Sequence, residues 1–165
     1  MEIIGYDRRK AVSYARQWAF SKNPKYYYFD ELGGDCTNFV SQCLYAGSGI
    51  MNYTPTYGWY YVNINDRSPS WTGTKYLHRF LVSNKGLSVF GQETSADEMM
   101  PGDVIQLGDE NMNFYHSLIV VKVNGFPAEN TIFVASHSFA AYMKRLSDYE
   151  YKNVRFIHIQ GVRIP

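Results

Sequence analysis

Gly33-Gly34-Asp35-Cys36-Thr37-Asn38-Phe39-Val40-Ser41-Gln42-Cys43-Leu44 is the stretch from which the fold is read. Two glycines make a turn, and Asp35 is a good helix N-cap. Cys36, Phe39, Val40, Cys43 and Leu44 then recur at i, i+3, i+4, i+7 and i+8, the apolar stripe of a packed helix. Gly47 and Gly49 close it. Cys36 therefore falls in a first helical turn, where unpaired N–H groups and the positive dipole end favour a thiolate and can face a developing oxyanion. The position equally suits the top of the stripe, because cysteine packs as a small hydrophobe. Cys43, in mid-stripe, reads as core. The helical rise between the two cysteines is about 10 Å, beyond disulfide reach, so both are expected as free thiols.

Towards the N-terminus, Asp7 caps a helix running from Arg8 to about Phe20, with Ala11, Ala15, Trp18 and Ala19 on one face. Asn23-Pro24 ends it, and Tyr26-Tyr27-Tyr28-Phe29 leads into the glycine turn. Beyond the central helix, Ser48 to Gly73 is long and turn-rich and carries Tyr53, Tyr57, Trp59, Tyr60, Tyr61 and Trp71. A segment of that length reads as a binding loop or as partly structured. A third helix is expected over Thr74 to Ser83, with Leu77, Phe80 and Leu81 facing the core. After Gly91 the pattern changes to strands: Asp103–Leu107, Tyr115–Val123, Thr131–Ser138 and Val154–Arg163. Helices followed by antiparallel strands give an α+β fold, a single domain over residues 1–165.

Composition narrows the function. With 165 residues, 45% hydrophobic and 19% charged, the chain can bury a core without disulfides or metal. Lys plus Arg number 16 against 15 Asp plus Glu, which argues against a nucleic-acid binder. No apolar run is long enough for a membrane span, so no membrane insertion is expected. The N-terminus lacks a basic start and apolar core, so the chain reads as cytoplasmic, as a phage product, or as a domain excised from a longer secreted protein. The four histidines (His78, His116, His137, His158) are scattered and no CxxC occurs, so no metal site and no cofactor is expected. Aromatic residues reach 17%, with 15 Tyr, which fits either a Tyr-rich core or a wet cleft for peptides or sugars.

A thiolate nucleophile needs a base, usually histidine. Strand alternation puts Phe114, His116, Leu118 and Val120 on one face, so His116 is either a buried structural residue or the general base of Cys36. His137 ends the next strand, and the Asn124-Gly125 turn pairs the two strands, so an orienting partner for His116 is geometrically easy. His78 and His158 read as structural.

Taken together, Gly33 to Gln42, Tyr6-Asp7-Arg8-Arg9-Lys10-Ala11-Val12, Ser70-Trp71-Thr72, Pro101-Gly102-Asp103-Val104-Ile105-Gln106 and His116-Ser117-Leu118-Ile119-Val120 resemble, in order, an amidase domain family of Gram-positive bacteria. That family is related to the NlpC-type and CHAP cysteine peptidases of the cell wall. The resemblance implies a circularly permuted papain-like fold, N-terminal helices packed on an antiparallel sheet, with Cys36 as nucleophile and His116 as general base. It places His137, in Ala135-Ser136-His137-Ser138, as the third catalytic residue. An Asp often follows this position in the family, whereas here Ser138-Phe139-Ala140 follows. The implied substrate is peptidoglycan or a muropeptide, cut at the N-acetylmuramoyl-L-alanine amide or within the stem peptide, which favours an extracellular or cell-wall location. Tyr28 (or Tyr27), just upstream of the nucleophile, would line a subsite; Asp35, Trp59 and Trp71 are assigned to the substrate side with it. Nothing calls for more than a monomer. The alternatives are a catalytically silent wall-binding module and an acyltransferase using the same Cys/His pair.

Overall fold

The computed structural model describes residues 1–165 as a layer of helices on one face of a seven-stranded antiparallel sheet. The helices are α1 (Arg8–Trp18), α2 (Cys36–Ser48), α3 (Pro69–Thr72) and α4 (Thr74–Ser83). The strands are β1 (Glu2–Ile4), β2 (Tyr61–Asn63), β3 (Asp66–Arg67), β4 (Ser88–Thr94), β5 (Val104–Gly108), β6 (Phe114–Val123), β7 (Ile132–Ser136), β8 (Ala141–Arg145) and β9 (Asn153–Ile164). Sheet order is β1-β9-β5-β6-β7-β8, with β4 on the other edge of β9; β2 and β3 form a separate hairpin.

The four expected strands form within a few residues of their expected bounds and make the centre of the sheet. Three further strands of this sheet, and the β2–β3 hairpin, escaped the sequence reading. β1 and β8 are short edge strands without clean alternation, and β4 begins at Ser88, ahead of the Gly91 boundary. Gly91 lies inside β4 because the strand kinks there: an added Cβ would stand 2.6 Å from the His158 carbonyl oxygen.

Asp7 caps α1 as expected, its side chain accepting from the Lys10 N–H at 3.0 Å, and Ala11, Ala15 and Ala19 are fully buried. The central helix is more buried than an apolar stripe requires: every residue of α2 except Tyr45 and Ala46 is buried. Gly47 continues the helix, and no larger residue fits there, because a Cβ would stand 2.5 Å from the Tyr6 ring. Gly49, at φ 72°, terminates it by returning its N–H to the Tyr45 carbonyl.

Burial on all sides obliges the polar residues of α2 to find partners. Ser41 Oγ donates to the Trp71 carbonyl at 2.9 Å and accepts from Trp59 Nε1 at 3.1 Å; Asn38 Oδ1 accepts from Trp71 Nε1 at 2.9 Å. Trp59 and Trp71 are at 0% exposure, so the assignment of both to substrate binding is corrected. They are the pegs that hold the 50–73 segment against α2, their indole nitrogens satisfying buried acceptors.

One buried carboxylate joins the two ends of the chain. Asp103 accepts from Arg8 Nη1 at 2.8 Å, from the Ile159 N–H at 2.8 Å and from the Met100 N–H at 2.8 Å, and it pairs with His158 Nδ1 at 2.9 Å. Arg8 also donates to the Ile159 carbonyl at 2.7 Å. Ile159 sits on β9 between its pairings to β5 and to β1, so Asp103 and Arg8 supply the hydrogen bonds that a neighbouring strand would otherwise provide. The Tyr6–Arg8 and Pro101–Asp103 motifs are thus one structural staple.

Candidate active site

Cys36 opens α2 with its sulfur against β6. The sulfur accepts from the Ser117 N–H at 3.5 Å and lies 3.9 Å from the Tyr115 carbonyl and 3.8 Å from Thr37 Oγ1. It therefore lies along the two peptide units that flank His116. Thr37 Oγ1 fixes the approach, 2.8 Å from Ser117 Oγ and 3.0 Å from Thr74 Oγ1. Ser117 Oγ also accepts from Gln106 Nε2 at 3.1 Å.

Asp35 does not cap α2. Its Oδ1 accepts from the Phe29 N–H at 2.8 Å and from Asn38 Nδ2 at 2.9 Å, and its Oδ2 pairs with His137 Nδ1 at 2.6 Å. At 1% exposure it shapes the turn before Cys36 and has no surface to offer a ligand, which corrects its assignment to substrate binding. No side chain caps α2, so its leading N–H groups have no side-chain acceptor.

His116 is buried at the start of β6, opposite Leu107 on β5. Leu107, Leu118 and Val120 form part of a smaller core on the sheet face away from the helices, and the His116 ring lies there, 6.1 Å from Tyr149. Ser117, Ile119 and Val121 take the other face, towards α2. The expected alternation holds from His116 onward, but β6 is buried on both sides and His116 shares a face with the outer core. A register shift between Leu107 and Gly108 breaks the pairing between Phe114 and His116. No hydrogen bond joins the Cys36 sulfur to the His116 ring, and His116 Nε2 has no partner at all. Burial, aided by the Lys144 charge, holds this imidazole down to about 4 from its ordinary 6.5, so it is neutral at pH 7.

His137 is the opposite case. Nδ1 meets Asp35, and Nε2 lies 2.7 Å from the Trp18 carbonyl; the ring stacks on Phe39 at 4.1 Å between centroids. Both nitrogens are taken and neither reaches His116. His137 therefore does not orient His116: it holds Asp35, the residue before Cys36, and ties it to the end of α1.

Ser138 carries a role the sequence did not suggest. Its Oγ accepts from the Asp35 N–H at 2.6 Å and donates to Asp30 at 3.0 Å. Ser138 and Phe139 both have positive φ, 53° and 72°, and Ser138 faces Gly34, itself at φ 105°. A hydroxyl two residues after the strand β7 was the available signal. Tyr28 is exposed with its edge to His137, and it lines an open groove of about 810 Å³ with Tyr26, Tyr27, Lys22, Glu31 and Tyr61. Of the residues assigned to the substrate side, only Tyr28 and its alternative Tyr27 keep a surface.

No three His, Cys, Asp or Glu side chains gather to hold a metal ion, and no helix is long and apolar enough to cross a membrane. No solved structure matches the chain. "Uncharacterized protein YhbB" of Bacillus subtilis (strain 168) is 38% identical over 118 residues, covering 70% of this chain and 37% of that protein. The chain thus spans well under half the length of the curated relative it matches. The family model described as "Putative amidase domain" matches residues 5–160, which takes in the staple, α2 and the whole β5–β7 region. With that match, over a site built on a buried cysteine at an uncapped helix end, the chain belongs to the amidase domain family.

Proposed function

We propose that the chain is a cysteine-dependent amidase or peptidase that hydrolyses an amide bond of bacterial peptidoglycan, either N-acetylmuramoyl-L-alanine or a bond of the stem peptide. The observation that carries this reading is Cys36 at the uncapped start of α2, its sulfur against the backbone of a neutral histidine with a free ring nitrogen. In the first step the sulfur bonds to the amide carbon and its proton passes to His116. The tetrahedral oxyanion is met by the leading N–H groups of α2. Collapse breaks the C–N bond, His116 returns the proton to the departing amine, and a thioester remains on Cys36. Water then attacks the thioester with His116 again taking the proton, which releases the acid and restores the thiol. His116 must reach the sulfur for this, and the interrupted pairing at Phe114 is where β6 can adjust.

In this reading the fold is the permuted papain-like one, the protein acts as a monomer in the cell wall, and His137 is a positioning residue acting through Asp35. A second reading, a silent wall-binding module, draws on the absence of a Cys36–His116 hydrogen bond in the resting chain. Mass spectrometry of fragments released from purified Gram-positive sacculi separates them. New termini from the wild type and none from Cys36→Ala are expected; wall binding by both proteins with no fragments from either supports the silent module.

A further inference from the structure

α4, the β5–β6 turn and the start of β9 enclose a cavity of about 580 Å³ lined by Lys75, His78, Arg79, Met112, Phe114 and Arg155 among others. Three cations line it, and none forms a salt bridge. Arg155 donates Nε to Gln106 Oε1 at 2.8 Å and lies 3.9 Å over the Phe114 ring, which orients its guanidinium. Arg79 and Lys75 rest near the Tyr76 ring, at 5.6 and 5.9 Å, with no hydrogen bond to hold either. The nearby acids are committed elsewhere. Glu93 pairs with His78 Nε2 at 2.6 Å, and Asp109 accepts from the Asn111 and Asn113 N–H groups of its own turn. Burial and the Arg155 charge hold His78 below its ordinary value, so it does not cancel Glu93 by protonation at pH 7. Against the Glu93 and Asp109 charges, three cations leave the cavity's surroundings about one charge positive.

The cavity is coupled to the nucleophile. Arg155 holds Gln106, Gln106 holds Ser117 and the Thr74 carbonyl, and Ser117 holds Thr37 and, through its N–H, the sulfur. We propose that Lys75, Arg79 and Arg155 form a carboxylate-binding subsite that grips an acidic group of the ligand, linked to Cys36 through Gln106 and Ser117. Three unpaired cations and an aromatic wall suit a carboxylate on a short peptide, the guanidinium offering paired donors and the ring a surface for the adjoining chain. That the carboxylate belongs to the hydrolysed substrate rests on the amidase reading; the binding itself does not.

The test is an NMR titration of the full chain at low salt with N-acetyl-dialanine and, separately, with its C-terminal amide, two probes that differ by one charge. Saturable shifts at Phe114 and at the Arg155 Nε–H are expected with the acid, and binding about tenfold weaker with the amide, which is roughly 1.4 kcal/mol. Arg79→Gln and Lys75→Gln remove side chains that make no hydrogen bond and keep the fold, and each should weaken the acid severalfold. Lys122→Gln, an exposed lysine on β6, should change nothing. Equal binding of acid and amide, or binding indifferent to Arg79→Gln, overturns the subsite. So does tighter binding of inorganic phosphate than of the acid. Loss of wall hydrolysis in Cys36→Ala is a separate readout, so the subsite and the amidase reading fail independently.

Discussion

The surroundings of His116 and His137 differ in how much of their polar capacity the fold has used. Around His137 everything is spent: both ring nitrogens, both Asp35 oxygens, the Asp35 N–H and the Ser138 hydroxyl all have partners. Around His116 the reverse holds, for Nε2 is buried without a partner and the ring lies among apolar side chains. A fully bonded histidine contributes rigidity, whereas an orphaned one costs stability and is retained where the free nitrogen has work to do. The two regions meet at Cys36, one holding the turn before it and the other laying the backbone on either side of His116 along its sulfur.

The largest expected effect breaks the free side of this contrast. His116→Gln should lower hydrolysis by about 10²–10⁴-fold, the usual worth of a general base, while the protein stays folded at pH 7. Turnover at the wild-type rate would remove His116 from the mechanism. On the spent side, Asp35→Ala leaves His137 buried without its partner and should cost about 3–5 kcal/mol in urea unfolding. A cost under about 1 kcal/mol would mean that the turn before Cys36 is held by something else.

The pH dependence of stability sharpens the contrast. His116 titrates at about 4 folded and 6.5 in its ordinary state. Between those values the unfolded chain holds the proton and the folded chain does not, so the contribution is complete above about 6.5 and lost as the pH falls towards 4. The total is about 3 kcal/mol. Urea unfolding at pH 7 and pH 4.5 should show this loss in the wild type and a smaller one in His116→Gln; equal slopes would exclude a depressed His116. The smallest effects separate buried from exposed aromatics. Trp71→Phe loses the bond to Asn38 and should cost about 1–3 kcal/mol without altering wall binding. Tyr28→Ala should stay within about 0.5 kcal/mol in stability and weaken wall binding. The opposite pattern would return Trp71 to the ligand side.

The residues that were legible are those whose partners are local or periodic. The stripe from Cys36 to Leu44 gave α2, and apolar runs gave β5, β6, β7 and β9, because helix and strand periods are written into spacing. The loop aromatics were not legible in the same way. Trp59 and Trp71 look the same in sequence whether they stack on a sugar or seal a core; Ser41 and Asn38, which receive their indole N–H groups, lie 18 and 33 residues away. Edge strands β1 and β8 form because β9 and β7 offer open edges, which short segments do not announce for themselves.

From the sequence alone came the helix that carries Cys36, the strand that carries His116 and the family to which both belong, since spacing and motif order are properties of the chain. Only the tertiary structure decided which way each histidine points. It turned Asp35 from cap to clamp, sent His137 to the Trp18 carbonyl and His116 to the outer face, and gathered Lys75, Arg79 and Arg155 around one cavity. Those outcomes depend on contacts between residues as far as 119 positions apart, made only when the sheet closes over α2 and every buried polar group must find a partner or go without.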